Sequence, residues 1–153
     1  MKIYSIFLIL PILFGGCAHK NAFDAFNITK IEQLSQEQIL TAKMHNDKNI
    51  TGLVAVLYLN NVDKKQFNEY EYFYVSLFVQ NSEKKKPKFL LNSKSPLQIE
   101  KLTNQNRFTK LTALNAAWMD YYLLTFQKEK GELKFEVKEN GSTSGVLRFK
   151  QEK

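Results

Sequence analysis

The only thiol in this 153-residue chain, Cys17, stands directly after Gly15 and Gly16. A single cysteine excludes an internal disulfide framework and a cysteine-cluster metal site. His19 lies beside it and His45 sits in a polar stretch, and neither has a partner at zinc-ligand spacing. The aspartates Asp24, Asp47, Asp63 and Asp120 form no calcium-loop pattern. No G-x-S-x-G, H-E-x-x-H, G-x-G-x-x-G or phosphate-cradling loop is present, so no catalytic residue, metal or cofactor is expected. Other groups point to surface chemistry. Asn49-Ile50-Thr51 is an N-x-T glycan acceptor in form, and otherwise a polar turn closed by the Asn49 side chain. Lys84, Lys85, Lys86 and Lys88 cluster around Pro87, either to meet an anionic surface or as a solvated loop that guards a sheet edge. Tyr70, Tyr72 and Tyr74 recur at period two, which places them on one strand face as a candidate partner-binding stripe or as cross-strand packing.

The N-terminus supplies an address. Met1 and Lys2 precede an apolar run from Ile3 to Phe14, short of the roughly 20 residues that span a bilayer, and this reads as a signal peptide. Small residues before the sole cysteine resemble the lipobox of bacterial lipoproteins, with Phe14 where that motif commonly carries Leu. The resemblance implies a diacylglycerol group on Cys17, cleavage before it, and a further acyl chain on the new amine. That exceeds the two signals needed for stable anchoring. Ala18 follows in place of the Asp that resembles an inner-membrane retention signal, so the resemblance implies an outer-membrane protein facing periplasm or cell surface. Asp47, two residues before Asn49, resembles the extended acceptor of campylobacter-type N-glycosylation; Asn27 and Asn140 lack that acid. Lys and Arg outnumber Asp and Glu 22 to 15, yet a nucleic-acid partner does not suit a secreted chain.

These groups need elements to hold them. Residues 1–16 read as signal, 17–30 as acylated tether, and 31–153 as one domain. Ile31 to Met44 fits a helix, with Ser35 and Gln38 in capping-box spacing, and fits a first strand equally. Ile50 to Leu59 is a continuous apolar run, as expected for a strand buried on both faces, and Asn60, Asn61 and Asp63 end it. Tyr70 to Val79 sets the tyrosines opposite a row of Glu71, Phe73, Val75 and Leu77. Phe89–Leu91 and Leu97–Leu102, bounded by prolines, read as edge strands. Tyr121–Lys128 follows. Leu133, Phe135 and Val137 alternate with charged residues, and Asn140-Gly141 turns toward a last strand at Leu147 and Phe149.

Seven or eight short strands predict a mainly β chain, an antiparallel sandwich, with a lipocalin-like barrel as the alternative. Leu114, Trp118 and Asp120-Tyr121-Tyr122 before a strand resemble the tyrosine corner of immunoglobulin-like sandwiches, although no cysteine pair accompanies them. The whole chain resembles small immunoglobulin-like lipoproteins of campylobacter-type bacteria. The expected function is a non-catalytic, lipid-anchored envelope protein whose sandwich mediates protein or surface interaction, in adhesion or periplasmic scaffolding. The alternative is a cavity for a small apolar ligand, which would be lined by phenylalanines.

Overall fold

The apolar run after Asn49 forms the centre of one antiparallel sheet. The structure, a computed structural model, describes residues 30–80, 86–112 and 114–152. The ambiguous stretch before it resolves into two elements that abut. Helix α1 spans Lys30–Gln38 and strand β1 spans Ile39–Asn46, the change falling where glutamine and glutamate give way to Ile39, Leu40 and Thr41. Ser35 is not an N-cap. It lies inside α1 and is fully buried.

Strand β2 (Asn49–Tyr58) returns beside β1 through a turn in which Asp47 takes a left-handed φ of 51°. Gly52 is obligatory in β2, because a Cβ there would collide with the carbonyl oxygen of Phe78 on the neighbouring strand. A short helix, α2 (Leu59–Val62), caps β2, and strands β3 (Glu71–Val79), β4 (Lys88–Leu91) and β5 (Gln98–Leu102) follow. A 3-10 turn at Thr109–Leu111 leads to β6 (Asp120–Phe126), β7 (Leu133–Glu139), β8 (Ser142–Ser144) and β9 (Leu147–Phe149). Asn140 and Gly141, with φ of 50° and 77°, make the two-residue β7–β8 hairpin with both centres left-handed, as that turn requires.

The hydrogen-bonded order is β4-β7-β8-β1-β2-β3-β6-β5, with β9 on β7. Nine antiparallel strands therefore form a mainly β domain, and the proline-bounded β4 and β5 are its two edges, as their sequences predict. The sheet curls so that β4, β7 and β9 face β3 and β6. Phe73 meets Phe135 at 5.1 Å between ring centroids, and Phe89 meets Tyr122 at 5.0 Å. Sandwich and barrel thus meet in one curled sheet, continuous in hydrogen bonds and closed over its own core. The inner core gathers Val54, Val56, Phe73, Val75, Leu124, Phe126, Phe135 and Val137, all within 1% of complete burial.

A second cluster covers the outer face of β2, β3 and β6. Leu57, Leu59, Tyr74, Tyr121 and Leu123 are roofed by Phe67, Phe108 and Met119 from the connections. Tyr121 ties down the approach to β6: its hydroxyl accepts from the Ala116 amide at 2.7 Å and donates to the Ala116 carbonyl at 3.0 Å. Among the described residues, no helix is long and apolar enough to cross a membrane.

Candidate functional site

The sheet has two ends, and the chemistry divides between them. At one end β2 runs into Asn60 and Asn61, whose amides lace three separate segments together. Asn60 donates to the Tyr70 carbonyl at 2.6 Å and accepts from the Tyr72 amide at 2.8 Å, which fixes the return into β3. Asn61 donates to the Lys150 carbonyl at 2.9 Å and to Gln38 at 3.3 Å, and accepts from the Glu152 amide at 3.2 Å. The C-terminal residues are thereby held against α1 and α2. Between these segments and the β6–β7 connection lies an open cleft of about 860 Å³.

Beneath the cleft sits Glu71, fully buried at the start of β3. Its carboxylate accepts from the Tyr58 hydroxyl at 2.5 Å, from the Gln151 amide at 2.9 Å and from the Glu129 backbone N–H at 3.2 Å; the Lys128 ammonium stands 3.9 Å away. A buried carboxylate must be satisfied in this way, since an unpaired one costs several kcal/mol. Burial, followed by the hydrogen bond to Glu71, pushes the Tyr58 phenol well above its ordinary range, so Tyr58 stays protonated and remains a donor.

The rim carries Lys64, Lys128, Lys130 and Lys150, with Phe67 as an apolar wall. The rim carboxylates are committed elsewhere. Glu129 pairs with Lys94 at 2.7 Å, a contact that holds its carboxyl below the usual range. Glu132 pairs with Arg148 at 2.7 Å, and Glu152 accepts from the Gln38 amide at 3.3 Å. Lys130 and Lys150 make no ion pair among the described residues. The cleft accordingly offers the Lys130 and Lys150 ammonium groups to an anionic group.

The opposite end holds the β1–β2 and β7–β8 turns. Lys86 and Lys138 line a smaller cleft there, of about 480 Å³, beside Glu139. Lys86 and Lys88 are exposed, in keeping with the sequence; Lys84, Lys85 and Cys17 lie outside the described residues. Asn49 is exposed at the first position of β2. The Thr51 hydroxyl two residues on is drawn into the sheet, 2.8 Å from the Ser142 hydroxyl and 3.3 Å from the Met44 carbonyl.

The tyrosine stripe needs correction. Tyr70 and Tyr72 are half-buried, but Tyr74 is 1% exposed, ringed by Phe108 at 5.2 Å and Tyr121 at 6.2 Å, and accepts from Asn106. It cannot touch a partner, because the connection between β5 and β6 folds over this face. The exposed aromatic is instead Trp118, 65% exposed and edge-on to Phe78 at 5.0 Å. The phenylalanines that would line an apolar cavity, Phe73, Phe126 and Phe135, pack on one another.

Glu139 reports on the electrostatics of the far end. Burial, then the Asp120 carboxylate, raise its carboxyl, with Lys101 opposing. A raised folded-state value means that its share of stability is full below the unfolded value of about 4.3 and is lost as pH rises through the folded one. Glu139→Gln should therefore raise the urea midpoint at pH 7, and the gain should vanish as pH falls to about 4. Urea melts of both proteins across that range check it; an equal gain at both ends of the range would reject the assignment.

No family model, curated protein or solved structure matches the chain.

Proposed function

We propose that the chain is a non-catalytic lipoprotein of the bacterial outer membrane, acylated at Cys17, whose β domain presents an interaction surface to a protein partner. The Gly15-Gly16-Cys17 motif after a short apolar run supports the anchor. Trp118 carries the interaction reading. Nearly every large aromatic of the sheet is packed away, while the chain's one tryptophan stands 65% exposed, braced on Phe78. Ile50 at 55% exposure adds apolar surface on the same end of the sheet. An exposed, rigidly braced tryptophan is costly in water and is the residue type most enriched at binding hot spots.

Cys17→Ser should move the protein from the membrane fraction to the soluble one. The β domain should stay folded, since Cys17 precedes every described strand. Persistent membrane retention of that variant would remove the anchor.

Trp118→Ala should leave the urea midpoint nearly unchanged and weaken capture of the partner from envelope extract by about 2 kcal/mol or more. Unaltered capture would withdraw Trp118 from the interface.

A further inference from the structure

Resting on the anchored reading above, we propose that the cleft at the α1 end binds the phosphate headgroups of the membrane itself, through Lys64, Lys128, Lys130 and Lys150. The first argument is position. The chain enters the domain through α1, and the last residue of α1, Gln38, hydrogen-bonds Asn61 and Glu152 on the cleft rim, each at 3.3 Å. A helix of 9 residues is about 14 Å long, so Lys30 stands no farther than that from the rim. Residues 17–29 would span about 45 Å at most if fully extended, and they join the domain at the cleft end of the sheet, the end nearest the anchor along the chain.

Charge is the second argument. The four lysines come from three separate segments, after α2, between β6 and β7, and after β9, and the fold brings them to one rim. Glu129 and Glu132 are drawn away by Lys94 and Arg148, and Glu71 beneath is held by Tyr58, Gln151, the Glu129 amide and, at 3.9 Å, Lys128. Lys130 and Lys150 make no ion pair among the described residues, so the rim keeps positive charge to offer. An ammonium is a point charge suited to a phosphate, and its attraction to an anionic leaflet fades within a Debye length of about 8 Å. Only lysines on the membrane-facing end can then contribute.

Lys86, Lys88 and Lys138 belong to the other end of the sheet, with the β7–β8 turn. In this orientation Lys86 and Lys88 point away from the bilayer, as do Asn49 and Trp118. One orientation leaves both the glycan acceptor and the exposed tryptophan clear of lipid.

The acylated protein, reconstituted in vesicles and pulsed with an amine-acetylating reagent, tests this through peptide mass spectrometry. In phosphatidylglycerol vesicles, acetylation of Lys64, Lys128, Lys130 and Lys150 should slow about fivefold or more relative to phosphatidylcholine vesicles, with Lys86, Lys88 and Lys138 unchanged. Equal labelling of the cleft lysines in the two lipids, with acyl mass present on the Cys17 peptide, overturns the cleft proposal alone. Slowing confined to the far-end lysines overturns it as well. Equal slowing by inorganic phosphate in phosphatidylcholine vesicles assigns the cleft to a free phosphate and overturns the membrane reading. A Cys17 peptide without acyl mass overturns the anchor and this orientation with it.

Discussion

Phe73→Ala is expected to cost about 3–5 kcal/mol of stability. The ring sits at the centre of the inner core, in contact with Tyr58 at 5.0 Å, Phe135 at 5.1 Å, Phe149 at 5.4 Å and Phe126 at 5.8 Å between centroids. Those four rings come from β2, β7, β9 and β6, so one truncation loosens the contact between the two facing parts of the curled sheet. Collapse around the gap is opposed by the hydrogen-bonded ladders on both sides, which is why the cost should lie above that of a peripheral site. Tyr74→Ala, one residue on and on the opposite face, should also be severe, because it empties the centre of the outer cluster. Tyr72→Ala should cost much less, since its half-buried ring rests on Phe67 and Tyr70 near the rim. Urea denaturation of the three variants ranks them. A Tyr74→Ala protein as stable as wild type would mean that the covering connection carries no packing energy.

That pair of neighbours shows what the sequence could and could not convey. Period two assigned Tyr72 and Tyr74 to one face of β3 and Phe73 and Val75 to the other, and the structure agrees. What alternation cannot say is whether a face meets water. The cover over Tyr74 comes from Phe108 and Met119, in a connection that has no strand or helix period to read. The same holds for residues 30–46, where a helix and a strand adjoin without a turn residue between them, so neither period runs long enough to declare itself. By contrast β7 was plain, because one face is core and the other solvent along its whole length. The cleft was the least legible part. Its lysines are far apart in the chain, whereas Lys84 to Lys88 are adjacent and therefore conspicuous. One signal was present. Glu71 falls in register with Phe73, Val75 and Leu77, and a carboxylate in an apolar row must have partners waiting for it.

Those partners make Glu71→Ala the most disruptive polar substitution expected in the domain. Removing the carboxylate strands the buried Tyr58 hydroxyl, at a cost of about 1–3 kcal/mol, and takes an acceptor from the part-buried Glu129 N–H and from Gln151, whose amide keeps only the Glu129 carbonyl. Water can reach the site from the cleft and recover part of this, so a net loss of about 3 kcal/mol or more is expected. Glu71→Gln keeps the shape and one acceptor oxygen, and Tyr58 can turn from donor to acceptor toward the new amide; about 1–2 kcal/mol should be lost. The two substitutions therefore separate hydrogen bonding from volume. Tyr58→Phe should be non-additive with Glu71→Gln, because both act on the same contact. It should also change the alkaline limb of the stability curve. Tyr58 is raised far above the unfolded tyrosine value of about 10, so its contribution is full below that pH and is lost as the pH climbs toward the folded value. Wild type should lose stability above about pH 10 more steeply than Tyr58→Phe, in urea midpoints measured from pH 7 to 11. Parallel curves for the two proteins would show that burial and the Glu71 hydrogen bond do not raise the Tyr58 phenol.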